Sequence, residues 1–313
     1  MVLDMKSLNL LAKIEPKSAG QMEMLKALKS DAEIVGLFGP TGTGKSLFSI
    51  VYGITATING DYSRLLICKP IVDVVTGREY TAVEVGALYY DLAKAYLIDI
   101  LSGITDWGSI EELFGKGKIM LVDTHYLRGR TFDNSIIFLD DVQAVPLESC
   151  LEVLMRLGSN SRLIIAGDPI FQKTGIEKDS ATILREILLG EEDARVVDLG
   201  VKDVIRPGAR RGLKFVFEAR VRKRTLTELE SKIMDSARIY APDADILTII
   251  SLVEEKKAYE ITSPHTPDAL IIVKEGHMGR IVGKGGERIR SIEEETCLLY
   301  TSPSPRDLST SRM

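Results

Sequence analysis

The chain has little cysteine and no pairing pattern for what it has: Cys68, Cys150 and Cys297 lie far apart among 313 residues. They make neither an even disulfide framework nor a metal-ligand spacing, so a stapled fold and a thiolate metal centre are both excluded, and a reducing cytoplasmic setting is expected. No apolar run approaches membrane-spanning length, and the N-terminus lacks the charged start, apolar stretch and small-residue cleavage site of a signal peptide. A soluble protein with no membrane partner follows as the expectation. Positive charge is not in excess either. With 40 Lys and Arg against 45 Asp and Glu, the net charge is −5, so any nucleic-acid contact has to come from local basic patches. No repeat occurs at solenoid periods.

What the chain does have is the stretch Gly39-Pro40-Thr41-Gly42-Thr43-Gly44-Lys45-Ser46, which fits G-x-x-x-x-G-K-[ST] at every fixed position. Glu33 to Phe38 reads as a short buried strand before it, and Leu47 to Tyr52 can begin a helix after it. In that context the glycines let backbone N–H groups turn inward around phosphates, and the helix N-terminus adds positive partial charge. Lys45 would reach the β- and γ-phosphates of ATP, and the Ser46 hydroxyl would ligate Mg²⁺ on the same phosphates. At 45% hydrophobic, the chain can bury a proper core, and its length suits a nucleotide-binding domain joined to something smaller.

Upstream, Pro16 to Leu28 reads as a turn and an amphipathic helix with Met22, Leu25 and Leu28 on one face. Gln21 starts that helix. Its amide can pair with the N6 and N7 edge of adenine, although by itself it also reads as a solvated helix residue. Downstream, Arg64 to Pro70 and Lys116 to Val122 give further strands, and the apolar helix-spaced residues between Ala82 and Ile104 read as core. Ser135 to Leu139 is an apolar run ending in Asp140-Asp141-Val142-Gln143, the pattern of a Walker B strand. Such a strand carries its acid to the carboxyl edge of the sheet, where open α/β folds bind ligands. Asp140 would hold Mg²⁺ and Asp141 would orient the attacking water. Read alone, the two aspartates could instead cap a helix. Ser161 to Ala166 is another strand, stopping at Gly167-Asp168-Pro169-Ile170-Phe171-Gln172, where Gln172 is the candidate γ-phosphate sensor and a plain Gly-Asp-Pro turn is the alternative.

Together these residues resemble the PhoH-like ATPases, P-loop proteins related to the superfamily 1 helicases. The resemblance rests on Pro16, Gln21, Gly39 to Ser46, Lys69-Pro70 and the contiguous Arg128-Gly129-Arg130-Thr131-Phe132-Asp133-Asn134. It continues through Ile136 to Gln143, Arg156-Leu157-Gly158, Gly167-Asp168 and Asp203-Val204-Ile205-Arg206-Pro207. It implies ATP hydrolysis, an adenine contact from Gln21, and a homo-oligomeric ring in which an arginine reaches the neighbouring subunit's phosphates. Arg206 and Arg130 are the candidates, with a salt bridge inside the subunit as the alternative for each. Asp141 stands where the family usually has glutamate, and Gln172 is one residue further from Asp168 than the helicase spacing. Both departures point to slow turnover rather than lost ATP binding.

From Lys202 to Arg224 nine basic residues face only Asp203 and Glu218. Such an arm, about 202–240, can hold phosphates with strong salt dependence, or can be an exposed helix balanced by Glu228, Glu230 and other acids. Pro264 to Pro267 marks a boundary. Beyond it, strand Ala269–Val273, helix Met278–Val282, loop Gly283-Lys284-Gly285-Gly286 and helix Glu287–Thr296 resemble a KH module. Its G-x-x-G loop admits the backbone of single-stranded RNA, and Lys284 supplies charge, while simple helix-turn-helix packing is the alternative. Ile281, Val282, Ile289 and Ile292 line the groove or its core. Residues 298–313 show neither strand alternation nor helix periodicity and read as an artificial, disordered tail that truncates the module.

The expected architecture is therefore α/β: a RecA-like P-loop domain over 1–262 with a mostly parallel sheet flanked by helices, then a partial α+β KH module over 263–297. The expected activity is RNA-dependent ATP hydrolysis with Mg²⁺, extending to helicase-like remodelling of single-stranded RNA. An ATP-gated RNA-binding switch with little hydrolysis and a small-molecule kinase are the rival readings.

Overall fold

In the computed structural model, residues 9–72, 79–127, 129–169, 179–263 and 265–301 are described. Arg128, Gln172 and the tail from 302 lie outside them. The chain divides into two compact units, 1–213 and 214–313.

The first unit is built on a six-stranded sheet. Its strands are β1 (Ile34–Phe38), β2 (Arg64–Cys68), β5 (Ile119–Leu121), β6 (Ser135–Leu139), β7 (Arg162–Gly167) and β8 (Ala194–Asp198), while β3 (Ile71–Val72) and β4 (Glu79–Tyr80) form a separate antiparallel hairpin. The order is β5-β2-β6-β7-β1-β8, and every pairing is parallel. β1, β6 and β7 are buried along their whole length, as expected where helices cover both faces of a parallel sheet. Successive side chains feed opposite faces. Val35, Leu37, Leu65, Ile67, Ile136 and Phe138 enter one core, and Ile34, Phe38, Leu66, Cys68, Ile137 and Leu139 enter the other. All three cysteines are free.

Two helical expectations shift. α1 (Ala19–Lys29) buries Gln21, Met24, Ala27 and Leu28 and leaves Met22 51% exposed. Spacings of three and four from Gln21 place Met24 and Leu28 on one stripe, and Met22 lies 200° round the helix from Met24 at 100° per residue. The segment after β4 is two helices, α3 (Ala82–Val85) and α4 (Ala87–Leu101), broken at Gly86 with φ 58. Tyr89, Ala93, Leu97 and Leu101 face inward, whereas Leu88 and Leu92 are exposed. Among the described residues no helix is long and apolar enough to cross a membrane.

The remaining helices of the first unit are α2 (Lys45–Asn59), α5 (Trp107–Gly115), α6 (Leu147–Leu154) and α7 (Ser180–Leu188). α8 (Pro207–Lys223) begins in it. The second unit has α9 (Glu228–Tyr240), β9 (Ile246–Ser251), α10 (Val253–Ala258), β10 (Ala269–Val273), α11 (Met278–Val282), α12 (Glu287–Thr296) and β11 (Tyr300–Thr301). β10 is central, antiparallel to β9 and parallel to β11. Ile281 and Ile292 join Ile233, Ala237, Ile249 and Ile271 in its core, with Val282 and Ile289 partly buried beside them. The module thus draws in residues well upstream of 263, because β9 pairs with β10 and α9 closes the core. A short strand also follows the last helix, where the tail was expected to be patternless.

Candidate active site

Because β1, β2, β6 and β7 are parallel neighbours, their C-terminal tips bring the phosphate loop, Lys69, Asp140 and Asp168 to one edge of the sheet. Cys68 pairs with Leu139, and the Asp140 N–H donates to the Cys68 carbonyl at 3.0 Å, so Lys69 and Asp140 leave adjacent strands side by side.

The loop is preorganised by its own backbone. Gly44 has φ 95 at the start of α2, a conformation that suits glycine. Thr43 is fully buried and its hydroxyl donates to the Pro40 carbonyl at 2.8 Å. Lys45 is buried, and its ammonium donates to the carbonyls of Gly39 at 2.6 Å and Pro40 at 3.0 Å. Burial pulls its pKa down against the opposing fields of Asp168, Asp140 and Asp141. Thr41 and Gly42 are half-buried at the loop's outer side.

Asp140 is the hub. It is 1% exposed and accepts from the Ser46 hydroxyl at 3.0 Å, from the Lys69 ammonium at 3.2 Å and from the Tyr96 phenol. Burial raises the Tyr96 phenol well above its ordinary pKa, and Asp140 adds to the shift, so it remains a donor. Asp141, at φ 50, turns its carboxylate onto Lys69 and takes a second bond from Gln143 Nε2 at 3.1 Å. Burial pushes the Asp141 carboxyl up, but Lys69 and Gln143 outweigh it and hold it below the usual range. Lys69 mirrors this: burial lowers it, the two aspartates raise it further, and the net shift is upward. Its ammonium also sits 4.7 Å over the Tyr96 ring. Gln143 Oε1 in turn accepts from the Asp168 N–H at 2.9 Å.

The donor set fits Mg²⁺. A hydroxyl and a buried carboxylate in contact beside a phosphate loop are the hard oxygen ligands that this ion takes together with phosphates. Lys69 and Tyr96 were missed as site residues by sequence reasoning. Lys69 stood there only as part of a turn, and Tyr96 lies in a helix read as core.

Gln21 is 5% exposed rather than solvated. Its Oε1 accepts from the Lys17 N–H at 2.7 Å and its Nε2 donates to the Thr43 carbonyl at 2.9 Å, bracing the loop from α1. One N–H and one lone pair of the amide are left over. Arg206 is exposed, with its guanidinium Nε 3.7 Å from where a Cβ on Gly42 would sit, and Ile205 N–H donates to the Gly42 carbonyl at 3.0 Å. Arg130 is exposed and lies 4.7 Å over the Phe132 ring. Neither arginine has an ion pair among the described residues.

In the second unit, Gly283, Gly285 and Gly286 have φ 75, 62 and 81. A Cβ on Gly283 would meet Arg288 Cγ at 2.7 Å, and Arg290 donates to the carbonyls of Gly285 at 2.5 Å and Gly286 at 3.1 Å. Lys284 is exposed. Three of the nine basic residues of the arm are paired with acids in the second unit. Lys214 pairs with Glu275 at 2.6 Å, Arg222 with Asp245 at 2.6 Å and Glu218 at 2.8 Å, and Arg224 with Glu230 at 2.7 Å.

The PhoH-like protein family model matches residues 13–218, and the KH domain model matches residues 247–298. A PhoH-like protein of Bacillus subtilis (strain 168) is 29% identical over 62% of this chain and 60% of its own length. A PhoH-like protein of Synechocystis is 28% identical over 62% of this chain and 58% of its own length. The chain thus spans about three fifths of the curated relatives it matches. A crystal structure of the DUF1998 helicase MrfA bound to DNA shares 16% identity over 63% of this chain and 27% of that one, at a TM-score of 0.37. That likeness is too loose to bear on function. The family match covers well over half of the sequence and includes the whole nucleotide-binding P-loop core, and on that ground the chain belongs to the PhoH-like protein family, with a KH domain following the core.

Proposed function

We propose that the chain binds ATP and Mg²⁺ at the edge of the parallel sheet, hydrolyses the ATP, and couples turnover to single-stranded RNA held by the KH loop. The observation that carries this reading is the contact of Ser46 with Asp140 beside the buried Lys45. Mg²⁺ held by Ser46 and Asp140 would neutralise the phosphate oxygens. Lys45 exchanges its two loop carbonyls for the β- and γ-phosphates, and the backbone N–H groups of Gly42 to Ser46 cradle the anion. Gln143 fixes the angle of Asp141, whose carboxylate aligns the attacking water. The free N–H and lone pair of Gln21 match the adenine edge. Arg206 and Arg130, both exposed, are the candidate arginines for the phosphates of a neighbouring subunit in a ring, and the place of Arg206 beside Gly42 of its own loop equally suits action within its own subunit. Gly283 to Gly286 contact the RNA backbone, with Lys284 as counter-charge. The protein works in the cytoplasm on this reading.

The ion pair of Lys69 with Asp141 favours a second reading, an ATP-gated RNA-binding switch with little hydrolysis, because it occupies the water-orienting acid. Mg²⁺-dependent phosphate release with and without single-stranded RNA, in the wild type and Lys45→Ala, decides between them. RNA-stimulated release that Lys45→Ala abolishes supports the ATPase. ATP binding without release supports the switch, and release indifferent to RNA removes the coupling.

A further inference from the structure

Two carboxylates share a small volume at the tip of β6, and four side-chain donors, Ser46, Lys69, Tyr96 and Gln143, converge on them. Asp140 is buried with both oxygens engaged, the neighbouring Asp141 side chain is 39% exposed, and a buried carboxylate beside a second one is costly unless a cation accompanies it. The only cation that touches both carboxylates among the described residues is Lys69, whose side chain is 17% exposed against 2% for Asp140. Its ammonium bonds Asp140 Oδ2, the same oxygen that Ser46 approaches at 3.0 Å. The position where Ser46 and Asp140 would grip a divalent ion is therefore flanked by a positive charge of the chain's own.

We propose that Lys69 is a built-in placeholder for the metal: it balances Asp140 and Asp141 before the metal binds and is displaced from Asp140 when Mg²⁺ arrives with the nucleotide. The inference rests on the reading of Asp140 as the metal-holding carboxylate and deepens it. Geometry makes the exchange feasible. Lys69 directly follows β2 and precedes Pro70, its stem is long and flexible, and the Tyr96 ring 4.7 Å from the ammonium offers it a second resting surface once it leaves the carboxylates. The same movement frees Asp141 to face water, so filling the metal position and arming the acid become one event. Lys45 cannot serve as the placeholder, because its ammonium is held by the Gly39 and Pro40 carbonyls.

The test needs neither hydrolysis nor RNA. Thermal unfolding is followed for the wild type and Lys69→Met, with millimolar MgCl₂ or NaCl of matched ionic strength and no nucleotide. In NaCl, Lys69→Met is expected to unfold about 5–10 °C below the wild type. Mg²⁺ alone is expected to recover about half of that loss in the variant and to leave the wild type within about 1 °C. Equal unfolding temperatures, or a loss that Mg²⁺ does not repair, overturn the proposal; the second result makes Lys69 a structural ion-pair partner only. Should Lys69→Met not fold, Lys69→Met/Asp141→Asn, which lacks the like-charge pair, is compared with Asp141→Asn. A Mg²⁺ shift in the double variant but not in the single one supports the placeholder, and equal shifts overturn it. Binding of a fluorescent ATP analogue to the wild type with and without Mg²⁺ is measured in parallel. Mg²⁺-independent binding there counts against the reading of Asp140, whereas Mg²⁺-dependent binding with unresponsive variants counts against Lys69 alone.

Discussion

Asp203 Oδ1 accepts a hydrogen bond from the backbone N–H of Gly20 at 3.0 Å, across 183 residues of sequence. Gly20 is in the first turn of α1, where N–H groups lack partners within the helix, so Asp203 caps the helix that carries Gln21. The fit is close: a Cβ on Gly20 would lie 2.6 Å from the Asp203 carboxylate. Asp203→Ala is expected to cost about 1–2 kcal/mol of stability and to weaken ATP-analogue binding several-fold. Gly20→Ala is expected to do the same. Calorimetric unfolding and fluorescence titration read the two effects, and unchanged nucleotide affinity would detach α1 from the site.

Tyr96→Phe removes one donor from Asp140 without creating a cavity. A loss of about 1 kcal/mol in stability is expected, together with a several-fold rise in the Mg²⁺ needed for half-maximal phosphate release. A Mg²⁺ titration of the two proteins measures it, and identical curves would leave Tyr96 as packing alone.

Arg206→Ala is expected to lower kcat by about 10³-fold if the guanidinium stabilises transferring phosphate charge. Mixing it with Lys45→Ala distinguishes a neighbour's arginine from a subunit's own. An arginine acting across an interface predicts partial recovery in the mixture, since some sites then combine an intact loop with an intact arginine. An arginine acting within its own subunit predicts none.

Lys284→Ala is expected to weaken single-stranded RNA binding and to flatten the slope of log K against log salt by about 0.7. Anisotropy titrations over a range of salt report both quantities. ATP-analogue affinity in the absence of RNA should not change.

Glu230 is 1% exposed and accepts from Arg224, Thr227 N–H and Ser251 N–H. Burial pushes its carboxyl up, but these donors prevail and bring it down to about 2 from an ordinary 4.5. The folded pKa lies below the unfolded one, so the stabilisation is complete above pH about 4.5 and is lost as pH falls toward 2. It amounts to about 3 kcal/mol at neutral pH. Glu230→Gln should flatten the acid limb of the second unit's unfolding profile over that window, and an unchanged limb would assign acid sensitivity elsewhere.

Much of this protein can be read from local pattern. The phosphate loop, the Walker B strand, the buried runs that became β1, β6 and β7, and the Gly283–Gly286 loop are each encoded by a few consecutive residues, and β10, α11 and α12 fall where their periodicity puts them. A strand buried on both faces or a glycine-bearing turn is specified by neighbours in sequence, because the backbone itself imposes the period. The stripe of α1 was harder. Met22 and Met24 are both apolar, and the packing of Met24, Ala27 and Leu28 in the core, with the bond from Gln21 to the Thr43 carbonyl, turns Met24 inward.

The sequence by itself therefore determined the P-loop core, the family and the presence of a KH domain. Tertiary structure alone decided that Lys69, Tyr96 and Asp140 meet, that Asp203 caps α1, and that β9 completes the KH sheet with β10. These contacts depend on β2 lying beside β6 and on chain segments tens to hundreds of residues apart folding against each other. No local period records which strand will be whose neighbour, since that choice is made by the packing of whole elements.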